Sequence, residues 1–300
     1  MKIGIKRINR VTITSTVVLT AGAVLASGAF ASAAQAATAP PAPSIVAKGG
    51  FVMNSGTGKA LYSKTADTRR STGSTTKIMT ALVVLKQKNV NLKSQVTIQK
   101  AYSDYIVSKN ASSARLIVGD KVTVGQLLYG LMLPSGCDAA YALADKFGTG
   151  KTRDARVKSF IGKMNATAKS LKLKNTNFDS FDGIGSGKNY STPRDLTIIA
   201  REAMKNSTFR TVVKTKSTKQ TVTMKNGGKR VMSWTNTNKM LSSYSGAIGV
   251  KTGSGPTAKY CLVFAATRNG KTVIGTVLTS TNESTRTADA KKLMDYGFKR

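Results

Sequence analysis

The chain has no histidine among its 300 residues. That excludes the hydrolytic and transfer centres that use imidazole as base, serine–histidine–aspartate and cysteine–histidine alike. It also removes the usual zinc sites, because two cysteines cannot fill a structural tetrahedron. No metal and no cofactor is therefore expected. Cys137 and Cys261 cannot form a disulfide framework for a chain this long, and spacing alone does not decide whether they pair. Cys261, within Tyr260-Cys261-Leu262-Val263-Phe264, reads as a free thiol in a buried strand. Acidic residues are also scarce: 13 Asp and Glu stand against 47 Lys and Arg, a net charge of +34. The 40% hydrophobic content is too evenly spread for a polytopic membrane protein, yet enough for a sizeable core.

The first 36 residues read as an export leader and not as part of the fold. Lys2, Lys6, Arg7 and Arg10 form a positive segment, Val11 to Leu25 is apolar, and Ala34-Gln35-Ala36 gives a small-x-small cleavage pattern. The rival reading is an uncleaved anchor. The run falls short of the ~20 apolar residues a span needs and contains Thr and Ser, which favours cleavage. Residues 37–48, with Pro40, Pro41 and Pro43, read as a stiff linker. The expected location is extracytoplasmic, in the wall or on the outer face of the cytoplasmic membrane.

Without the four leader cations the charge is still +30. So basic a balance raises nucleic acid as a partner. An exported protein meets anionic wall polymers and lipid headgroups instead, so these are the expected electrostatic partners and nucleic acid is not. A surface adapted simply for solubility is the competing reading.

Gly50 to Asn54 and Lys59 to Ser63 flank Ser55-Gly56-Thr57-Gly58 and read as a β-hairpin. A helix with an apolar stripe at Ile78, Met79, Leu82, Val83 and Leu85 follows Gly73. Thr123 and Gln126 stand at capping-box spacing, Pro134-Ser135-Gly136 breaks the helix they start, and Thr192-Pro193 opens another. From about residue 212 the pattern turns to strands, closed by a helix from about Glu283 to Tyr296. The fold class expected is α+β: an antiparallel sheet flanked by helices, with an inserted, mostly helical domain. The sheet domain would comprise 49–88 and 212–300, and the helical domain 89–211.

Ser74-Thr75-Thr76-Lys77 is the sole Ser-x-x-Lys of the chain and lies where a helix begins. Residues three apart share a helix face, so Ser74 and Lys77 can be neighbours. A partly buried lysine can act as base toward a serine hydroxyl when desolvation and a nearby cation lower its pKa. The bland alternative is a hydroxyl cap beside a surface lysine. Ser135-Gly136-Cys137, at the break between two helices, and the sole Lys251-Thr252-Gly253, on a β-run, then add to the set. A Lys and a Thr on a strand can bind a substrate carboxylate, and Gly253 lets a substrate backbone lie close against the strand edge.

Together these motifs resemble those of the serine penicillin-binding proteins and class A β-lactamases. The stretches around Ser74 and from Leu131 to Ala140 resemble the low-molecular-mass D-alanyl-D-alanine peptidases in particular, and the likeness runs from about residue 45 to 300. The resemblance implies a D-alanyl-D-alanine transpeptidase or carboxypeptidase acting on peptidoglycan stem peptides, with β-lactams as inhibitors. It implies Ser74 as nucleophile, Lys77 as its proton acceptor, and Ser135 as relay to the leaving D-alanine. Lys251 would keep the site positive and assist the relay. Thr252 would bind the terminal carboxylate. The N–H groups of Ser74 and Ser254 would form an oxyanion hole, where one such donor is typically worth about 3–4 kcal/mol. Cys137 departs from the asparagine usual in the family, and a thiol hydrogen-bonds more weakly. That residue and the particular resemblance to small transpeptidases favour transfer to an amine over hydrolysis. Phe178 to Gly183 either borders the acceptor groove or is a structural turn.

Two rival functions remain on the sequence. A β-lactamase of class A uses a glutamate to deacylate, and neither Glu202 nor Glu283, the two glutamates present, has suitable surroundings. A non-catalytic cationic protein that binds wall or membrane would explain the charge but not the three motifs.

Overall fold

The computed structural model describes residues 40–300 of the chain; the expected leader, and with it the start of the linker, lies outside the described residues. Strands β1 (Gly49–Asn54) and β2 (Ala60–Lys64) form the hairpin expected from the glycine-bearing turn. After a 3-10 turn at Gly73–Thr76 come α1 (Lys77–Leu85), β3 (Gln95–Thr97), α2 (Lys100–Lys109), β4 (Lys121–Thr123), α3 (Val124–Met132), α4 (Cys137–Phe147) and α5 (Arg153–Ser170). The chain continues through α6 (Pro193–Ala203), α7 (Ser207–Lys214), β5 (Ser217–Thr223), β6 (Lys229–Thr235) and α8 (Met240–Ser243). It ends with β7 (Ala247–Gly255), β8 (Lys259–Arg268), β9 (Lys271–Ser280) and α9 (Glu283–Lys299).

The principal sheet has the order β2-β1-β9-β8-β7, and every neighbouring pair is antiparallel. Its middle strands are apolar on both faces: Cys261 to Ala266 and Val273 to Leu278 are buried without alternation. Such a run needs cover on both sides. On one face α9 supplies Ala290, Leu293 and Met294 against Val52, Phe264 and Val277. The opposite face joins the larger core, which includes Ile78, Leu82, Leu196 and Ile199. Full burial of side chains like these contributes roughly 1.5–3 kcal/mol each. The α+β class, an antiparallel sheet flanked by helices, is the architecture observed.

Local signals place the helices that carry the site. Thr123 and Gln126 make the capping box of α3. Thr192 caps α6 by accepting from Asp195 N, with Pro193 in the first turn, where a missing N–H costs nothing.

A second sheet, β3-β4-β5-β6, was not anticipated. The expected grouping of 212–300 with the principal sheet does not match the strand pairing, since Thr223 of β5 lies opposite Lys121 of β4. The hairpin β5–β6 buries Val222, Met232 and Trp234, and Trp234 Nε1 donates to Ala114 O at 2.8 Å. That contact ties residues 217–235 to the helical part of the chain. No helix among the described residues is long and apolar enough to cross a membrane.

Candidate active site

Ser74 sits in the 3-10 turn, and α1 starts only at Lys77. The tighter turn eclipses residues i and i+3, which brings Lys77 Nζ to 2.8 Å from Ser74 Oγ. Threonines brace it: Thr75 Oγ1 donates to Thr72 O at 2.7 Å, and Asn189 Nδ2 donates to Thr72 Oγ1 at 2.7 Å and Thr76 Oγ1 at 3.0 Å. Two glycines let the turn press against β7. Gly73 has φ +49, and a Cβ there would lie 2.7 Å from Ser254 O. A Cβ on Gly253 would lie 2.9 Å from Thr72 O and 3.0 Å from Thr75 N. The close approach at Gly253 is therefore to the chain's own nucleophile turn, where the sequence suggested an approach to substrate.

Lys77 is fully buried. Besides Ser74 it donates to Asp182 O at 3.2 Å and to Cys137 Sγ at 3.2 Å. Cys137 opens α4 and is itself buried and free. Burial pushes its thiol pKa up, against the lowering pull of Lys77. A buried thiol held protonated is inert as a nucleophile. Ser135, in the break between α3 and α4, adopts φ +65, and its carbonyl accepts from Ser112 Oγ at 2.6 Å. A non-glycine residue in this region carries strain that the surrounding structure must hold.

The third motif lies on β7, which is an edge strand of the principal sheet. Its free edge offers backbone groups to an extended peptide. Lys251 is 1% exposed, and its Nζ has no hydrogen-bond partner among the described residues. Burial, and next the charge of Lys77, push its pKa well below the ordinary lysine value. Ser135 Oγ is likewise buried and unpartnered. Thr252 Oγ1 shares a 2.6 Å hydrogen bond with Thr237 Oγ1.

Ser74, Ser135, Thr252, Gly253 and Ser254 line one pocket of about 240 Å³. Lys77, Cys137 and Lys251 are buried and do not line it. Residues that the sequence reading did not place here include Ser112, Thr237 and Arg286. The Arg286 guanidinium, on α9, is nearly buried and lies 3.3 Å from Glu283, which also lines the pocket. Glu283, read in the sequence as lacking the surroundings a deacylating glutamate needs, is carried to the pocket rim by the first turn of α9. Glu202 pairs with Lys86 and Lys205 and lines neither this pocket nor the adjoining groove. In the segment from Phe178 to Gly183, Phe178 and Phe181 are core residues, as the structural-turn reading expected, while Asp182 O receives Lys77 and Gly183 borders a groove beside Ser74. A serine with a buried amine at its hydroxyl, a second serine and amine nearby, and a cationic pocket end can perform acyl transfer without imidazole. No group of His, Cys, Asp and Glu suited to a metal ion exists among the described residues.

Residues 33–282 match the D-alanyl-D-alanine carboxypeptidase family, peptidase S11. The chain is 72% identical over 264 residues to the D-alanyl-D-alanine carboxypeptidase of Streptomyces sp. strain K15, covering 87% of this chain and 90% of that one. It is 32% identical over 253 residues to the D-alanyl-D-alanine carboxypeptidase DacF of Bacillus subtilis, covering 84% of this chain but 62% of the relative. The crystal structure of the Streptomyces K15 DD-transpeptidase superposes with a TM-score of 0.86 at 73% identity, over 86% of this chain and 99% of that one. By sequence and by structure alike, the chain belongs to the D-alanyl-D-alanine carboxypeptidase family.

Proposed function

We propose that the protein cleaves the terminal D-alanine from peptidoglycan stem peptides through an acyl-enzyme on Ser74, and passes the acyl group preferentially to an amine. Ser74 Oγ attacks the carbonyl carbon of the penultimate D-alanine while Lys77 Nζ takes its proton. The N–H groups of Ser74 and Ser254 hold the oxyanion. As the C–N bond breaks, a proton reaches the leaving nitrogen through Ser135, with Lys251 behind it. Thr252 and Arg286 receive the terminal carboxylate. An amine entering where D-alanine left then attacks the ester carbon and loses its proton by the reverse route; water in its place gives the carboxypeptidase reaction.

The observation that carries this reading is the 2.8 Å approach of the buried Lys77 Nζ to Ser74 Oγ in a chain without histidine. Slow turnover of penicillin follows from the carboxylates: Glu202 is held by Lys86 and Lys205, and Glu283 by Arg286 and Lys239. The test is intact-protein mass spectrometry with benzylpenicillin over hours. A stable adduct of one penicillin on Ser74, absent in Ser74→Ala, is expected. Rapid penicillin turnover would make the protein a β-lactamase, and no adduct with no consumption would make it a binding protein.

The same reading places the protein outside the cytoplasm after removal of residues 1–36, with its excess of Lys and Arg against anionic wall polymers or the membrane surface. Binding to anionic vesicles that weakens as salt rises supports this electrostatic contact.

A further inference from the structure

We propose that a groove beside Ser74 is an acyl-donor subsite that selects peptides carrying a carboxylate upstream of the reacting D-alanine, through Arg69 and Lys109. The inference rests on the acyl-enzyme reading and adds a substrate class to it.

The groove, of about 670 Å³, meets the Ser135–Arg286 pocket at Ser74, Ser112 and Ser254. This volume is in the range of sites that enclose a ligand. The β7 edge sets the direction. Thr252 faces the pocket that holds Arg286, whereas Gly255, Pro256 and Thr257 border the groove. A peptide whose terminal carboxylate reaches Thr252 and Arg286 and whose penultimate carbonyl lies at Ser74 therefore extends its upstream residues into the groove.

The charged side chains lining the groove are all cations; the nearby Asp179 lies behind Gly185 with one carboxylate oxygen held by Ser186 and Lys188 N. Arg69, Arg70 and Lys109 line it, and no Asp or Glu does. Arg70 is committed to the fold, donating to Lys48 O and Thr65 Oγ1. Arg69 differs: its guanidinium stacks on the Tyr190 ring at 4.7 Å, and only its Nε is used, by Asn175 Oδ1 at 3.2 Å. The stack fixes the plane of the fork and leaves the terminal nitrogens free, the geometry suited to receiving a carboxylate. Lys109 is exposed in the last turn of α2. Neither cation is in an ion pair with an Asp or Glu among the described residues, and residues 1–39 contain none that could serve. Ile184, an exposed large apolar side chain, gives the same groove an aliphatic wall.

The experiment compares two D-alanyl-D-alanine peptides that differ only in an upstream side chain, carboxylate in one and carboxamide in the other. Wild-type kcat/KM and the Kd on the unreactive Ser74→Ala are both read as the carboxylate-to-amide ratio. The ratio is expected near tenfold in favour of the carboxylate, to fall toward one in Arg69→Gln with Lys109→Gln, and to shrink with added salt. Arg69→Glu with Lys109→Glu is expected to invert it. A wild-type ratio of one, or variants that weaken both peptides equally, overturns the proposal. Because the Kd ratio needs no turnover, it reads the groove even if benzylpenicillin fails to acylate wild-type protein, which is the result that defeats the underlying reading.

Discussion

Lys77 Nζ lies 3.2 Å from Cys137 Sγ, and the same buried nitrogen reaches Ser74 Oγ. The thiol therefore forms part of the nucleophile's surroundings and is not an independent reactive group. Both cysteines are fully buried and free, and burial pushes Cys261 up to about 11 and Cys137 upward as well. Native protein at pH 8 is expected to resist iodoacetamide at both positions, and denatured protein to take up two labels. Fast native labelling of Cys137, seen by peptide mass mapping, would contradict the protonated thiol.

Lys251 gives a pH-dependent stability. Its folded pKa lies below the ordinary lysine value, chiefly through burial. Between the two values the unfolded chain binds a proton that the folded chain refuses, so stability rises with pH through that window and drops as pH falls toward the folded value. Lys251→Met removes the cost of burying this amine. It is expected to stabilise the protein near neutrality, by on the order of 1–4 kcal/mol, while slowing acylation. The stability gap between the two proteins should narrow as pH rises toward about 10. Urea melts at several pH values measure it, and parallel curves would count against the assignment.

Tyr105 OH donates to Asp182 Oδ2 at 2.9 Å, and Asp182 is fully buried. Tyr105→Phe leaves that carboxylate oxygen short of a donor, a loss of about 1–3 kcal/mol. Because Asp182 O also receives Lys77 Nζ, acylation by benzylpenicillin is expected to slow as well. A stability loss with an unchanged acylation rate would show that the loop does not position Lys77.

Gly73→Ala tests the packing of the nucleophile turn on β7. The new methyl would meet Ser254 O at 2.7 Å on a backbone with φ +49. Overpacking of this kind costs roughly 1–3 kcal/mol, and the displaced turn moves Ser74 relative to Ser254 N. Thermal unfolding and acylation rate should both fall. Gly270→Ala, with φ +73 but open space around it, is the control that bears backbone strain alone.

Features whose cause is local were legible in the sequence. The hairpin at Ser55–Gly58, the capping box at Thr123 and Gln126, and the Thr192-Pro193 start each depend on residues a few positions apart. The proximity of Ser74 and Lys77 was legible for the same reason, although the turn is 3-10 and not α. The second sheet was not, because β3 and β4 are three residues each and too short for any alternation to register. Thr237, Ser112 and Arg286 were missed because nothing near them in the chain marks them, and the stretch holding Asp182 was singled out without its contact to Lys77. Thr237 matters through Thr252, and Asp182 through a backbone carbonyl that any residue type supplies. That Glu283 reaches the pocket rim was not legible either, because the direction in which α9 leaves β9 is set by the sheet and cannot be read from local pattern.

The register of β1 on β9 pairs Gly49 with Leu278 and Asn54 with Val273. An early stretch of the chain thus finds its partner only when nearly all the rest exists. Until then β1 and β2 are a two-stranded ribbon, which is marginal in water on its own. Loop closure over such a separation also makes the pairing slow. In a nascent chain the principal sheet therefore stays open through most of synthesis, which suits the proposed passage through an export channel before folding is complete. Under the export proposed above, closure of the β1–β9 pairing is expected only on the far side of the membrane.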